Sequence, residues 1–464
     1  MTRLVMASNR VADPTKGSQS GGLAVALGDA LRENGGLWFG WDGRVDDSPA
    51  AQRVALDDGG EYRTATVSLT NEEYDGYYTG MANNVLWPIL HYRLDIAKPE
   101  AAYIKAYRQV NARFADTLRA LIQPDDLVWV HDYHLFPLGA ELRARELRNA
   151  IGFFLHIPFP PPDVLKAMPD CDYIVRSMFS YDVIGFQTEG DLGNFRRYVQ
   201  ESEAAEIHDD GRVTAYGRTI LARSYPIGID TDAFRAMSRT TEARGVIDRL
   251  QRRTEDETGQ IIGVDRLDYS KGLSERFVAF EKLLENYPEN RKRLTLMQIA
   301  PPTRENVDAY ADIREELERL SGAINGRFAD FDWTPIRYIH RSIPRSTLAA
   351  LFRGSRIGLV TPLRDGMNLV AKEYIAAQND HDPGVLVLSK FAGAAEDLRE
   401  ALQVNPYDTA EVAEAIQTAM NMSLEDRMRS QEALLARVRD NDVVSWRSTF
   451  ISDMEAVRER ERAQ

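Results

Sequence analysis

The feature that most constrains this chain is the stretch from Gly358 to Gln378, GLVTPLRDGMNLVAKEYIAAQ. Ile357 to Val360 is apolar and short enough for a buried strand. Thr361 to Met367 reads as a loop, with Pro362 and Gly366 as breakers. A helical pattern then begins at Asn368, whose side chain suits an N-cap. Strand, loop and helix form half of a βαβ unit, and such sheets bind ligands at the carboxyl ends of their strands. The loop carries Asp365. A cap at Asn368 leaves the amides of Leu369 and Val370 to face an anion. Glu373 follows Leu369 by four residues, about one turn along the same face. This set suits a sugar nucleotide: a carboxylate for sugar hydroxyls, a helix N-terminus for diphosphate and a second carboxylate for ribose. It equally suits a loop carboxylate ahead of a solvated helix.

A chain of 464 residues is too long for one core, so two large α/β domains are expected. The apolar fraction of 44% and charged fraction of 28% are those of an ordinary globular protein. A net charge of −14 without a long basic cluster argues against nucleic-acid binding. The single cysteine, Cys171, excludes an intrachain disulfide framework and a cysteine-rich zinc site. It fits a reducing cytosol, and a cytoplasmic location is expected. The N-terminus MTRLVMASNR lacks the apolar segment of a signal peptide. No stretch approaches the ~20 apolar residues of a membrane span.

In chain order, Leu4 to Ala7 reads as a strand ending at Ser8-Asn9-Arg10. A loop closed by Gly21 and Gly22 and a helix from Leu23 to Asn34 follow. Trp38, Trp41, Tyr77, Tyr78 and Trp87 crowd the next segment, and Arg53 to Leu69 reads as short antiparallel strands. Aromatics at this density suit a core; they also suit a sugar pocket, where rings stack on sugar C–H faces. Tyr103 to Leu121 is helical. The strand Leu127 to Val130 delivers His131-Asp132-Tyr133-His134, and a helix is expected from Leu135 to Leu147. The strand Ile151 to Leu155 delivers His156 ahead of a proline-rich run. Val183 to Phe186 is a strand, a helix runs to Glu201, and Ala222 to Ile229 is read as the last extended segment of the first domain. The expected domains are residues 1–235 and 236–442, with a C-terminal helix, 443–464, packing back on the first.

The second half restarts the pattern. Strand Ile261 to Val264 is followed by DRLDYSKG and helix Leu273 to Asn286. Arg266 and Lys271, at the end of a strand, are candidates for diphosphate oxygens, the first as a planar fork and the second as a compact charge. They also suit solvated cations paired with Asp265 and Asp268. Strand Leu294 to Ala300 leads to Arg304, and a helix is expected from Asn306 to Leu320. Trp333 to Ile343 reads as hairpin-like. A cleft between two such domains would collect Arg10, Asp132 and His156 from one side. The other side would offer Arg266, Lys271, Arg304, Asp365 and Glu373. Cations and carboxylates together suggest an anionic, polyhydroxylated ligand. No metal is expected, and the cations would neutralise a diphosphate leaving group.

The motifs SNR, SGGLA, GLWFGW, YYTGMANNVLWP, WVHDYHL, GFFLHIPFP, YPIGID, RLDYSKG, IAPPTR, TPLRDGMNLVAKEY and VLVLSKFAGAA occur in this order over nearly the full length. In them the chain resembles the trehalose-6-phosphate synthase family, retaining glycosyltransferases of GT-B architecture with two Rossmann-like domains facing across a cleft. The resemblance implies transfer of glucose from a nucleotide-diphosphate glucose, UDP-glucose by family default, to glucose 6-phosphate. Arg10, Tyr78, Trp87 and Arg304 match acceptor-binding positions, with the two arginines on the phosphate. Gly21 and Gly22 match the loop closing over the donor, and Asp132 and His156 match residues at the transferred glucose. Arg266 and Lys271 match diphosphate ligands. Asn368, Leu369 and Val370 match the helix start that donates to phosphate, Glu373 the ribose ligand and Asp365 the acid beside glucose. Ile343 stands where the family reads the base, at a position that is often aromatic. The implied mechanism is front-face substitution with no enzyme nucleophile, and a separate phosphatase would act downstream; a homodimer or homotetramer is expected.

Other readings remain open at this level. The acceptor could be another phosphorylated compound such as glycerol 3-phosphate, and the base guanine or adenine. A non-catalytic regulatory subunit is a further alternative, expected to have lost part of the site constellation.

Overall fold

The computed structural model describes residues 2–11, 27–28, 30–32, 35–49, 51–58, 60, 62–202, 204–252, 259–303 and 308–463. Gly21, Gly22 and Arg304 lie outside the described residues. The chain divides into two units, Met1–Pro226 with Trp446–Gln464, and Ile227–Ser445.

The first unit holds strands β1 Leu4–Arg10, β2 Gly36–Val45, β3 Ala55–Asp57, β4 Arg63–Leu69 and β5 Leu127–His131. They are followed by β6 Ile151–Phe154, β7 Val183–Phe186, β8 Glu206–Ile207, β9 Arg212–Ala215 and β10 Arg218–Ser224. Their order in the sheet is β3-β4-β2-β1-β5-β6-β7-β10-β9-β8. From β4 to β10 every pairing is parallel, and antiparallel strands flank both sides. The expected extended segment Ala222 to Ile229 is instead β10, shifted toward the N-terminus. Its polar start, Arg218 and Thr219, pairs with β9 across the two-residue turn Tyr216-Gly217. Both turn residues have positive φ, the geometry that matches strand twist.

Helix α1, Ala101–Arg119, buries Tyr107, Val110, Phe114 and Leu118, the spacing of one helical stripe. Ahead of it, Tyr74–Leu86 winds as a π-helix of 13 residues. Its wide turn shows at the end, where the Trp87 N–H donates to the Ala82 carbonyl five residues back. Such turns are rare and frequently mark functional sites. A capping box at Thr70 and Glu73 starts the segment.

The second unit has β11 Gly259–Val264, β12 Leu294–Ile299, β13 Ile336–Ile339, β14 Ile357–Val360, β15 Val385–Ser389 and β16 Leu402–Val404. The order β13-β12-β11-β14-β15-β16 is wholly parallel, the doubly wound arrangement. Strands β12, β14 and β15 are buried throughout, which is why each reads as a continuous apolar run. Helix α2, Leu273–Asn286, covers this sheet with Phe277, Phe280 and Leu283. Helix α3 is Leu369–Ala377. The expected hairpin at Trp333 to Ile343 is a single edge strand, β13, parallel to β12. At this sheet edge Ile336 is buried and the next three residues are half-buried.

Helix α4, Val443–Ala463, gives its residues from Trp446 onward to the first unit. There Phe450 stacks on Trp129 at 4.6 Å, and Asp453 accepts from Arg223 and from the Tyr225 hydroxyl.

Gly272, between β11 and α2, has φ +63°, and a Cβ there would collide with the Thr361 carbonyl oxygen. Gly272→Ala should therefore destabilise the protein by about 1–3 kcal/mol, read as a lower denaturant midpoint with unchanged slope.

Candidate active site

In a doubly wound sheet the ligand crevice lies where the strand order reverses. In the second unit that point is the β11/β14 pair, joined at Ile261↔Ile357 and Ile262↔Gly358. The loops leaving these two strands meet, since the Leu363 N–H donates to the Ser270 carbonyl at 2.8 Å. Asp268 builds the first loop, accepting from the Ser270 amide at 2.9 Å and from the Tyr310 hydroxyl at 3.1 Å. This turn presents Lys271, whose Nζ lies 2.6 Å from Asp365 Oδ2 on the second loop. Asn368 Nδ2 donates to the same oxygen at 3.0 Å. Asn368 adopts a left-handed conformation, φ 76°, and its Oδ1 caps the Ala371 amide. The amides of Leu369 and Val370 precede the first intrahelical acceptor.

Beneath the loops lies Arg276, 1% exposed. Its guanidinium reaches Asp265 Oδ2 at 2.8 Å, Gln298 Oε1 at 2.7 Å, Thr361 Oγ1 at 3.1 Å and the Lys271 carbonyl at 3.4 Å. Burial pushes the Asp265 carboxyl upward, opposed by Arg276 and Lys271. One turn into α3, Glu373 pairs with Arg345 at 3.2 Å. Burial raises its carboxyl and Arg345 opposes the rise. Arg266 is exposed beside the turn, and Ile343 is half-buried between β13 and the helix Arg345–Arg353.

The first unit has its own reversal, between β1 and β5. β1 ends in Arg10, whose guanidinium lies 5.7 Å from the Trp41 ring. Gly43, φ +86°, makes room for it: a Cβ would stand 2.5 Å from Arg10 Nη2. Trp41 meets Tyr78 at 5.3 Å, and Tyr78 stacks on His134 at 6.1 Å and 11°. Trp87 packs on Tyr133 at 5.8 Å. Asp132, just past β5, has φ 76° without being glycine, a strained backbone of the kind found at functional sites. Its Oδ1 accepts from the His156 N–H at 3.3 Å.

Direct contacts thus join Lys271, Asp365 and Asn368, and separately Arg10 and Tyr78 through Trp41, and Asp132 with His156. Sequence reasoning overlooked Arg276, Arg345, His131 and His134. His134 had a signal in the HDYH run; Arg276 had none, since a charge inside an amphipathic helix reads as solvated. Among the described residues, no group of three or more His, Cys, Asp or Glu side chains is placed to hold a metal. No described helix is long and apolar enough to cross a membrane.

Two α/β units with polar groups at the reversal of each parallel sheet define a nucleotide-sugar transferase class of the GT-B kind, as expected. The sequence matches Glycosyltransferase family 20 over residues 4–456, and the chain belongs to that family. It is 45% identical to the trehalose-6-phosphate synthase of Klebsiella pneumoniae over 465 residues, covering 99% of this chain and 96% of the other. Its fold is similar to that of an α,α-trehalose-phosphate synthase (UDP-forming) from Burkholderia vietnamiensis, with TM-score 0.95, 48% identity and coverage of 98% and 97%. It is also similar to the corresponding enzyme of Burkholderia xenovorans in complex with glucose-6-phosphate, with TM-score 0.93, 46% identity and coverage of 98% and 100%.

Replacing Arg276 by Met would leave the Asp265 carboxylate buried without its main partner. We expect a loss of about 3–5 kcal/mol in chemical denaturation. The loss should shrink as pH falls, because folded Asp265, its pKa raised further, takes up a proton that the unfolded chain does not yet bind.

Proposed function

We propose that the protein transfers glucose from UDP-glucose to glucose 6-phosphate with retention, giving α,α-trehalose 6-phosphate and UDP. The observation that carries this reading is the meeting of a cation, a carboxylate and a helix N-terminus at the β11/β14 reversal, Lys271, Asp365 and Asn368. It occurs in a family whose Burkholderia xenovorans member is described as UDP-forming and was solved with glucose-6-phosphate.

In this reading the second unit takes the donor. Arg266, Lys271 and the amides of Leu369 and Val370 hold the diphosphate, Glu373 the ribose, Ile343 the base and Asp365 the glucose. Asn368 orders the helix start. Arg10, Tyr78, Trp87 and Arg304 take the acceptor, with the two arginines on its phosphate. Asp132 and His156 meet the transferred glucose, and Gly21 and Gly22 close over the donor. The C1–phosphate bond breaks as the acceptor's anomeric oxygen bonds C1 from the same face. The proton of that hydroxyl passes to the departing β-phosphate oxygen, giving UDP. Arg266 and Lys271 stabilise the charge that accumulates there. The reading carries with it a cytoplasmic location, a homodimer or homotetramer and a separate trehalose-6-phosphate phosphatase downstream.

Nucleotide release from UDP-, GDP- and ADP-glucose, each with glucose 6-phosphate or glycerol 3-phosphate, tests the assignment. The expected result is UDP release with glucose 6-phosphate and an α,α-linked product by NMR. Release only with glycerol 3-phosphate would overturn the acceptor, and no release with any pair would favour a regulatory subunit. Arg266→Ala should lower kcat by ~10²-fold or more, since it removes charge stabilisation needed chiefly in the transition state. Near wild-type turnover would remove Arg266 from that role.

A further inference from the structure

Strand β5 ends in His131, which is 0% exposed and has no part in the chemistry above. Its Nδ1 lies 3.2 Å from His156 Nε2, and the two rings are stacked at 28°. Its other nitrogen, Nε2, is buried and meets no hydrogen-bond partner among the described residues. Aromatic rings enclose the pair: Trp129 is 4.6 Å from His131, while Phe154 and Trp446 are 4.7 and 6.1 Å from His156. Asp132 is the neighbouring charged group, and its Oδ1 receives the His156 backbone N–H. Burial lowers His156 to about 3 and holds His131 well below the ordinary imidazole range. Near neutral pH each ring is therefore neutral, with one N–H and one lone pair.

A short contact between two ring nitrogens needs the proton of one and the lone pair of the other. Two arrangements satisfy it. If His131 carried its proton on Nε2, a buried N–H would stand without an acceptor, the rarer kind of orphan in folded proteins. With the proton on Nδ1, His131 donates to His156 Nε2, and only a lone pair is left unmet among the rings. His156 must then carry its own proton on Nδ1. We infer that His131 is a positioning residue that locks His156 in the Nδ1–H tautomer, so that His156 offers the sugar a hydrogen-bond donor rather than an acceptor. Which nitrogen a histidine protonates is set by the bond its other nitrogen makes. A lone histidine in water favours Nε2–H, so loss of His131 would release the lock on the polarity that His156 presents. The role toward the sugar rests on the function proposed above; the tautomer does not.

The test begins with long-range ¹H–¹⁵N correlation of the imidazole nitrogens in the ¹⁵N-labelled protein without substrate, with His156 assigned by its absence in His156→Gln. A pyridine-like Nε2 and a pyrrole-like Nδ1 are expected; the reverse assignment overturns the inference. His131→Asn places an amide N–H near the position of Nδ1 and should keep both the His156 pattern and near wild-type kcat/KM. His131→Leu removes the bond that fixes the tautomer, so His156 should show ring-nitrogen shifts averaged between the two tautomers and a kcat/KM lowered by roughly 2- to 10-fold, the scale of one lost hydrogen bond. Equal activity of the Asn and Leu variants, with melting temperatures matched, would also overturn it. The spectrum of the unsubstituted protein decides the tautomer even if His131→Leu does not fold. Because that spectrum needs no turnover, a failed transfer assay and a failed tautomer assignment are separately visible.

Discussion

The second unit depends on one buried guanidinium. Arg276 projects from α2 beneath the sheet reversal and ties Asp265 after β11, Gln298 on β12, Thr361 after β14 and the Lys271 carbonyl. A buried charge of this kind is weak evidence for stability, because desolvation offsets most of the attraction. Its value lies in geometry. Five donors in a rigid fork can satisfy several acceptors at once, and a lysine could not do so. The two loops that carry Lys271 and Asp365 are thereby held from below, while Gly272 lets the Thr361 carbonyl approach from the side.

The first unit solves the same problem without a buried arginine. Its strand ends are held by aromatic packing: Tyr78 between Trp41 and His134, and Trp129 between His131 and Phe450. The π-helix contributes here. Tyr74 and Tyr78 stack at 5.4 Å along it, so the wide turn carries a ring ladder toward Arg10 and Trp41. The two units thus present different surfaces at equivalent topological points. One is a polar junction of paired charges; the other is an aromatic wall with a cation at its edge.

Much of this was legible in the sequence where one residue type answers one local demand. Val183–Phe186 and Leu273–Asn286 have the bounds that their periodicity predicts, and Asn368 caps α3. Legibility failed where the determinant is distant. The segment from Trp333 to Ile343 holds an edge strand with one neighbour, which local pattern does not distinguish from a hairpin. The π-helix leaves no periodic signature, because its hydrogen bonds shift the register within a run already crowded with aromatics. Arg276 is invisible for a related reason: its partners are 11, 22 and 85 residues away. His131 could be seen but not interpreted, since its meaning lies in His156, 25 residues on and across a strand pair.

The Lys271–Asp365 pair also bears on how such a junction treats a diphosphate. A lysine side chain in water has about 2 kcal/mol of rotamer entropy to lose when it is fixed. Here folding has already restricted it, because Asp365 and the turn built by Asp268 hold the ammonium in place. In the proposed function an arriving diphosphate would meet a positioned cation and would not bear that ordering cost again, the general advantage of preorganisation. Asp365 is itself shared with Asn368, the cap of α3. Cation, carboxylate and helix N-terminus are therefore mechanically linked, and a displacement of any one is transmitted to the other two. Lys271 and Asp365 form a contact ion pair at 2.6 Å, so their charges partly offset each other. The link to the helix start, where the amides of Leu369 and Val370 add a fixed positive potential, keeps the balance favourable to an anion.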